Sequence, residues 1–256
     1  MSHPKFAAQL YTVRASCKTA EDLAHSLRKI RDIGYAGVQV SGIGPIPAED
    51  VARAARDAGL EIMASHVPWQ RFLDELDEVL RVHELWSCRH PAVPNLPAAY
   101  HTAEGVDRFV DELGPVAERL TRAGLDLAYH NHAREFMRFG TRTWLELLYD
   151  RASPEQLKGE LDTYWVQVGG GDPVAWVRRL AGRMPVAHLK DLVVGPEGDQ
   201  RYAEVGEGNL NWPLILHEAE RGGVEWYAVE QDQCYERDPF DSLALSYANL
   251  VRMNQR

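Results

Sequence analysis

Short apolar runs alternate along this chain with longer segments in which apolar residues recur at helical spacing. The first pair is a predicted strand at residues 6–10 and a predicted helix at residues 19–33, where Leu23, Leu27 and Ile30 share one face. Gly34 is expected to end this helix, because glycine adopts the left-handed backbone conformation without a Cβ penalty. The alternation predicts a parallel sheet whose strands are joined by helical crossovers.

Eight such pairs of strand and helix can be placed along the sequence. The predicted strands are residues 6–10, 37–41, 61–66, 89–94, 126–130, 159–162, 186–190 and 226–230. The predicted helices are residues 19–33, 47–58, 69–85, 102–123, 141–151, 172–181, 211–221 and 239–253. No linker, charge block or low-complexity segment divides the sequence. We therefore predict an α/β fold, a single (β/α)8 TIM barrel, with residues 1–256 forming one domain.

The composition narrows the classes of protein further. The 256 residues are 45% hydrophobic and 26% charged, which is ordinary for a globular domain. The N-terminal residues are polar and no apolar stretch approaches the roughly 20 residues that cross a bilayer, so we expect neither a signal peptide nor a membrane partner. Cys17, Cys88 and Cys234 are too scattered for a disulfide framework, which favours a cytoplasmic location. The formal net charge of −10 argues against a nucleic-acid partner.

Polar residues that close the predicted strands are the first functional signal. Barrels of this kind carry their chemistry at the carboxyl ends of the strands, where the βα loops begin. Four of the ten histidines fall at these ends. The polar residues there are Gln9, His66, His130 with His132, Asp162, His188 with Lys190, and Glu230. We therefore expect a functional site at this mouth of the barrel.

Four of these residues have the side chains of a metal site. His130, Asp162, His188 and Glu230 close four consecutive predicted strands and offer two nitrogen and two oxygen donors. Mixed nitrogen and oxygen ligation suits Mn²⁺, Co²⁺, Fe²⁺ or Zn²⁺ better than Mg²⁺, which prefers oxygen and water. We expect one divalent metal ion, with Mn²⁺ or Zn²⁺ favoured and Co²⁺, Fe²⁺ or Mg²⁺ as the alternatives.

Six short motifs, spread from the first predicted strand to the last, carry a resemblance to a known family. They are residues 9–14 (QLYTVR), 34–38 (GYAGV), 129–132 (YHNH) followed by Glu135 and Phe136, 188–191 (HLKD), 204–208 (EVGEG) and 229–232 (VEQD). Together they resemble the sugar phosphate isomerase/epimerase family of the xylose isomerase-like TIM barrels. The resemblance implies a metal site on strands five to eight, with Asp162, His188 and Glu230 at three of the family's four ligand positions. It also implies a small-molecule carbohydrate substrate and a homodimer or homotetramer.

The fourth ligand position departs from the commoner pattern of this superfamily. Its ketose epimerases carry a glutamate at the end of strand five, which serves as both ligand and acid/base, and here His130 stands in that place. Glu135, a few residues further on, is the alternative as ligand or as general base, and both residues could bind the metal.

Other polar and aromatic residues near the mouth are candidates for contacts with a substrate. Lys190 should point to the same side of its strand as His188, because side chains two residues apart share a face. It is therefore a candidate for a catalytic contact with substrate, and an ion pair with Asp191 or Glu207 is the alternative. The expected substrate contacts are Gln9, His66, His132, Trp165 and Glu207. A structural role is the alternative for the two histidines, packing for Trp165 and a solvated loop charge for Glu207.

These expectations combine into a functional hypothesis. It is a metal-dependent isomerase or epimerase of a sugar or sugar-like polyol, in which Glu230 or Glu135 removes the proton next to a metal-bound carbonyl and an enediolate forms. The alternative is a metal-dependent lyase or dehydratase acting on a keto-sugar, keto-inositol or keto-glycoside, because His130 replaces the second carboxylate. Two further alternatives are a metal-dependent endonuclease, which the negative charge opposes, and a non-catalytic sugar-binding barrel.

Overall fold

The computed structural model describes residues 4–254 and shows the expected closed barrel of eight parallel strands. The strands are β1 Lys5–Gln9, β2 Gly37–Val40, β3 Glu61–His66, β4 His90–Val93, β5 Ala128–His130, β6 Lys158–Asp162, β7 Val186–Leu189 and β8 Trp226–Val229. Neighbouring strands follow chain order around the barrel, and β8 pairs with β1 to close it. The predicted TIM barrel is confirmed, with strand ends shifted by one or two residues.

Helices follow the strands on the outside of the barrel. They are α1 Ala20–Ile33, α2 Ala48–Ala58, α3 Trp69–Asp74, α4 Leu76–Trp86, α5 Ala103–Arg122, α6 Trp144–Arg151, α7 Thr163–Val168, α8 Pro173–Arg179, α9 Trp212–Arg221 and α10 Pro239–Asn254. The glycine expected to end α1, Gly34, has a φ of 123°, which a residue with a Cβ rarely adopts. The predicted helix at 69–85 is instead two helices that meet at Glu75, whose φ of −130° is not helical.

Some elements of the mouth differ from the prediction because they lie within the βα loops. The short helix α7 starts directly after β6, and the pattern did not predict it. Two antiparallel hairpins follow β5 and β7. They pair Arg138–Phe139 with Arg142–Thr143 and Asp191–Val194 with Gln200–Ala203. These additions all lie in loops at the carboxyl end of the barrel.

The barrel interior divides into an apolar layer and a polar layer. The apolar layer, toward the amino ends of the strands, consists of Ala7, Met63, Ala64, Val186, Trp226 and Ala228. The polar layer, toward the carboxyl ends, includes Gln9, Gln39, His130, Glu160, Asp162 and His188, none of which is more than 2% exposed. Buried charges are costly unless they have partners. The charges of the polar layer therefore have to be neutralised by its own members or by a ligand, which makes this layer the candidate functional site.

The loop after β7 is held by one buried carboxylate. Asp191 accepts hydrogen bonds from the backbone N–H groups of Gly206 and Gly208, at 2.9 and 3.0 Å, and from Nε1 of Trp212 at 2.5 Å. A Cβ on Gly208 would lie 2.4 Å from Oδ1 of Asp191 and 2.4 Å from the carbonyl oxygen of Leu192, so only glycine fits there. Asp191 thus anchors the loop and does not pair with Lys190.

The three cysteines are free, with Cys17 and Cys88 buried and Cys234 partly exposed. Within residues 4–254, none of the helices is long and apolar enough to cross a membrane. The first three residues of the polar N-terminal segment, on which the expectation of no signal peptide rests, lie outside the described residues.

Candidate metal centre

The four expected ligands come together at the mouth of the barrel. His130 ends β5, Asp162 ends β6, His188 lies in β7 and Glu230 directly follows β8. One donor atom from each lies within 4.8 Å of every other, and all four side chains are buried. The strand register explains this convergence, since Asp162 pairs with His188 across β6 and β7. We call these four residues the donor cluster.

Two atoms of the donor cluster have the surroundings of unsatisfied ligands. Nε2 of His130 and Oδ2 of Asp162 are buried, lie 3.4 Å apart and form no hydrogen bond of good geometry within the described part of the chain. Nδ1 of His130 lies 3.4 Å from the carbonyl oxygen of Pro94, which favours a proton on Nδ1 and a lone pair on Nε2. Oδ2 of Asp162 is balanced by an ion pair with Nζ of Lys190 at 3.0 Å, whereas Nε2 of His130 has no such partner, and leaving a buried polar atom unpaired costs free energy. The donor set therefore fits a divalent cation with nitrogen and oxygen ligands.

The ammonium group of Lys190 lies among three carboxylates. Its Nζ is 3.0 Å from Oδ2 of Asp162, 2.8 Å from Oε2 of Glu230 and 3.1 Å from Oδ1 of Asp232. Burial opposes the charge on Lys190, but the three carboxylates outweigh it and raise its pKa. Lys190 also opposes the effect of burial on Glu230, whose pKa is lowered well below its ordinary value. The alternative of an ion pair with Asp191 or Glu207 is not what the structure shows, and the expected contact of Lys190 with a substrate stays a prediction.

A buried carboxylate that the sequence did not single out lies one layer deeper in the barrel. Glu160 in β6 is fully buried, and its Oε1 is 2.7 Å from Nε2 of His66 and 3.1 Å from Nε2 of His188. Burial opposes ionisation of Glu160, yet His188 and His66 leave its pKa lowered. Burial likewise opposes the charge of His188, but Glu160 and Glu230 raise the pKa of His188 to about 10. The sequence could have indicated Glu160, because it precedes Asp162 by two residues and so lies on the same face of the strand.

Gln9 and His66 belong to the same buried network. Nε2 of His66 contacts Glu160, while its Nδ1 lies 3.2 Å from Oγ of Ser41 and 3.5 Å from Nε2 of Gln9. Oε1 of Gln9 accepts a hydrogen bond from the backbone N–H of Tyr11 at 3.2 Å. Both ring nitrogens of His66 are therefore engaged within the protein, and contact of these two residues with a substrate stays a prediction.

The structure does not bring Glu135 into the donor cluster. Its buried carboxylate accepts hydrogen bonds from the hydroxyl of Tyr129 at 2.8 Å and from the backbone N–H of His132 at 2.8 Å. Oε1 of Glu135 also lies 3.2 Å from Nε2 of His101. These hydrogen bonds occupy the carboxylate of Glu135 and hold the loop after β5 in place. The geometry therefore favours His130 over Glu135 as the ligand from strand five, and it argues against Glu135 as a general base.

His132 and Trp165 border a cavity of about 530 Å³ next to the donor cluster, whose lining also includes Trp69, His101 and Arg134. The ring of His132 lies 4.9 Å from that of His130 and 5.2 Å from that of Trp165. Burial and the neighbouring His130 lower the pKa of His132 to about 4, so its imidazole is neutral. Nε1 of Trp165 is buried and without a hydrogen bond in the described chain. The positions of both residues suit the expected contacts with a substrate.

Glu207 lies away from this cavity. Its carboxylate is exposed and accepts a hydrogen bond from Nδ2 of Asn249 in α10 at 2.8 Å. The structure thus does not bring Glu207 to the donor cluster, since the loop anchored by Asp191 turns it toward the outer helix. A second, larger cavity of about 850 Å³ lies at the opposite end of the barrel, where Lys5, Glu61 and Trp226 line it. No member of the donor cluster borders either cavity, but the cavity of about 530 Å³ is adjacent to it, because its lining residue His132 lies 4.9 Å from the ring of His130.

Comparison with known proteins identifies the family to which this fold and site belong. Residues 27–239 match the model of the xylose isomerase-like TIM barrel family, and the chain belongs to that family. The resemblance seen in the sequence motifs is therefore confirmed at the level of the family.

Individual relatives cover nearly the whole chain. The chain is 26% identical over 274 residues to the rhizopine catabolism protein MocC of Rhizobium meliloti, covering 90% of this chain and 81% of that protein. It is 23% identical over 265 residues to inosose dehydratase of Geobacillus kaustophilus (strain HTA426), covering 88% of this chain and 84% of that protein. The crystal structure of a sugar phosphate isomerase/epimerase from Parabacteroides distasonis ATCC 8503 has a TM-score of 0.81 at 23% identity, covering 98% of this chain and 94% of that one. Isomerase, epimerase and dehydratase names thus occur among its relatives and structural neighbours.

Proposed function

We propose that this chain is a divalent-metal-dependent isomerase or epimerase that removes the proton next to the carbonyl of a small sugar-like polyol. The observation that carries the proposal is the donor cluster. Four donors from neighbouring strands converge in a buried layer, and Nε2 of His130 has no hydrogen bond among the described residues, while Oδ2 of Asp162 has only the ammonium group of Lys190 at 3.0 Å. A divalent cation held by these four residues supplies Lewis-acid polarisation of a carbonyl and of its neighbouring hydroxyl. The mixed donor set favours Mn²⁺ or Zn²⁺.

Glu230 is the best-placed general base. Of the two carboxylates in the donor cluster, Asp162 uses Oδ1 to accept the backbone N–H of Trp165 at 3.0 Å, which holds it in place. Glu230 is not part of a helix cap, and its lowered pKa keeps it ionised at neutral pH. Positioned acid/base groups of this kind typically contribute about 10²–10⁴-fold to a rate.

A second proton carrier lies on the strand-five side of the site. His132 is neutral because of its lowered pKa, and it borders the same cavity as Trp165. Glu230 approaches from β8 and His132 from the loop after β5, so a substrate between them has one group on each side. Isomerisation needs Glu230 alone, because the carboxylic acid it becomes can return the proton to the adjacent carbon. Epimerisation also needs a proton donor on the other face, and the neutral His132 serves there only after taking up a proton from solvent.

The second candidate function is a metal-dependent dehydratase or lyase. The observation in its favour is the 2.8 Å contact between Nζ of Lys190 and Oε2 of Glu230. A base and a proton donor side by side suit removal of a proton and protonation of a departing hydroxyl on the same face of the substrate. The identity of 23% to inosose dehydratase over most of both chains supports the same candidate.

The substrate class follows from the shape of the cavity and from the charge of the chain. A volume of about 530 Å³ walled by Trp69 and Trp165 suits a small polyol with an apolar ring face. The net charge of −10 disfavours a polyanion such as duplex DNA. We therefore propose an uncharged or weakly charged ketose or keto-inositol.

The test is hydrogen exchange in D₂O. Purified protein is stripped with EDTA, reloaded with Mn²⁺ and incubated with ketoses and keto-inositols, and the substrates are then followed by mass spectrometry and NMR after removal of the metal. We expect deuterium at the carbon next to the carbonyl, together with an isomer or an unsaturated product, and no exchange with His188→Ala. Absence of exchange and of product with every substrate would overturn the proposal. An unsaturated product alone would select the dehydratase.

A further inference from the structure

Glu160, Gln39 and His188 form a buried hydrogen-bonded chain beneath the donor cluster. Nε2 of Gln39 lies 3.0 and 2.9 Å from the two carboxylate oxygens of Glu160. Oε1 of Gln39 lies 2.6 Å from Nε2 of His188. All three side chains are fully buried, so water does not compete for these contacts.

The direction of these hydrogen bonds decides which nitrogen of His188 keeps its proton when the other binds a metal. A carboxylate only accepts hydrogen bonds, so the end of the Gln39 amide that faces Glu160 has to be the donating NH₂ group. Its carbonyl oxygen then faces His188, and Nε2 of His188 has to donate to it. Oε1 of Glu160, at 3.1 Å from the same nitrogen, is a second acceptor. Nδ1 of His188 is left on the side of Glu230, whose Oε2 is 3.1 Å away.

We propose that Glu160 is a positioning residue that, through Gln39, fixes His188 with a proton on Nε2 and with Nδ1 directed at the cation site. This inference rests on the proposed metal-dependent function. Partners of this type orient a metal-binding imidazole, and their loss typically lowers metal affinity about 10–100-fold. The carboxylate also places a fourth negative charge close to the site, in addition to Asp162, Glu230 and Asp232.

The substitution Glu160→Gln tests whether Glu160 positions His188 through its charge and hydrogen bonds or only packs in the barrel interior. It keeps the shape of the side chain, but it replaces one of the two oxygens that accept from Nε2 of Gln39 with an NH₂ group, which cannot accept. The amide of Gln39 then turns its NH₂ group toward His188, which favours a proton on Nδ1 and removes the lone pair from the cation site. The double variant Gln39→Glu with Glu160→Gln exchanges the amide and the carboxylate, so that an acceptor again faces Nε2 of His188.

The experiment is a titration of EDTA-stripped protein with Mn²⁺, followed by calorimetry. We expect the dissociation constant of Glu160→Gln to rise about 10–100-fold and the double variant to recover most of that loss. The matched control is Glu135→Gln, which changes another buried, histidine-paired carboxylate outside the donor cluster and should change the constant less than about threefold. Gln39→Leu, which removes the amide itself, is the second test and should weaken Mn²⁺ binding to a similar extent.

Equal Mn²⁺ affinity of wild type and Glu160→Gln would overturn the inference, and so would a double variant as weak as the single one. A measurement on the metal-free protein tests the positioning role of Glu160 independently of the proposed function. In proton–nitrogen NMR spectra of histidine-labelled, metal-free protein, we expect a protected Nε2–H signal from His188 that Glu160→Gln displaces. Wild-type protein that binds no Mn²⁺ would reject the proposed function, whereas an Nε2–H signal unmoved by Glu160→Gln would reject the positioning role.

Discussion

Nζ of Lys190 lies 2.8 Å from Oε2 of Glu230, and both side chains are buried at the mouth of the barrel. The same ammonium group contacts Asp162 and Asp232. A positive charge is therefore built into the site next to the carboxylates that would bind a metal. Removing one partner from a buried ion pair leaves an uncompensated charge, which is strongly destabilising.

Lys190→Met should destabilise the metal-free protein by about 3–5 kcal/mol, because Asp162, Glu230 and Asp232 lose their shared cation. Added Mn²⁺ should restore part of this loss, since a cation binding the folded state alone stabilises it. Urea unfolding in EDTA and in Mn²⁺ measures both effects. Lys5→Met is the control, because Lys5 forms an exposed ion pair with Glu61 that is worth about 1 kcal/mol or less. Equal effects of the two substitutions would contradict the assigned role of Lys190.

His130→Ala should lose most of the bound metal, whereas Glu135→Gln should keep it. The reason is that Nε2 of His130 faces the donor cluster, while the carboxylate of Glu135 is held by Tyr129, His132 and His101. Metal content by inductively coupled plasma mass spectrometry after dialysis against Mn²⁺ measures the difference. Retention of metal by His130→Ala together with its loss in Glu135→Gln would reverse the assignment of the strand-five ligand.

His83 should make stability fall on the acid side of neutrality. It is buried in α4, with Nδ1 2.7 Å from the carbonyl oxygen of Val79 and Nε2 2.7 Å from Oγ of Ser65, and burial lowers its pKa below 6.5. Because the folded protein holds it neutral, its contribution is fully present above pH 6.5 and is lost as the pH falls through its lowered pKa.

The free energy of unfolding of wild type and of His83→Asn, measured from pH 7.5 to pH 5, tests this expectation. The loss with falling pH should be smaller in His83→Asn, even though the variant is less stable at pH 7.5. The exposed His25 in α1 provides the control substitution His25→Asn, which should leave the wild-type dependence in place. An unchanged pH dependence in His83→Asn would contradict the prediction.

Gly208→Ala should destabilise the protein by about 1–3 kcal/mol, because the new Cβ overlaps Asp191 and the backbone of Leu192. Thermal unfolding of the wild type and of Gly208→Ala measures the loss. A Gly208→Ala variant as stable as the wild type would show that Asp191 does not hold the loop as described.

Hydrophobic periodicity predicted the barrel closely because the strands are short runs buried on both faces, whereas each helix buries one face. It could not predict the break at Glu75, where neither proline nor glycine marks the end of α3. The break lets α3 place Trp69 at the mouth cavity while α4 packs against α2. Tertiary packing of α3 and α4 therefore overrides the continuous helical pattern of the sequence.

The donor cluster was predictable because its residues close consecutive strands, but its charge balance was not. Lys190 pairs with Asp162, Glu230 and Asp232, which are distant from it in sequence, so the sequence offered only Asp191 and Glu207 as alternative partners. Glu160 was missed although the period-two rule that singled out Lys190 applies to it as well. Glu135 was overvalued because a sequence shows a carboxylate near the site but not the hydrogen bonds that occupy it.

The two oxygens of the Asp162 carboxylate face different parts of the protein. Oδ1 caps α7 by accepting the backbone N–H of Trp165, while Oδ2 lies in the donor cluster beside His130. A rotation of this carboxylate would therefore loosen the first turn of α7 and shift the indole beside the cavity. We therefore expect binding of the proposed cation at Oδ2 to be coupled to the shape of the pocket wall, so that a metal-free preparation recognises its substrate less selectively as well as reacting with it more slowly.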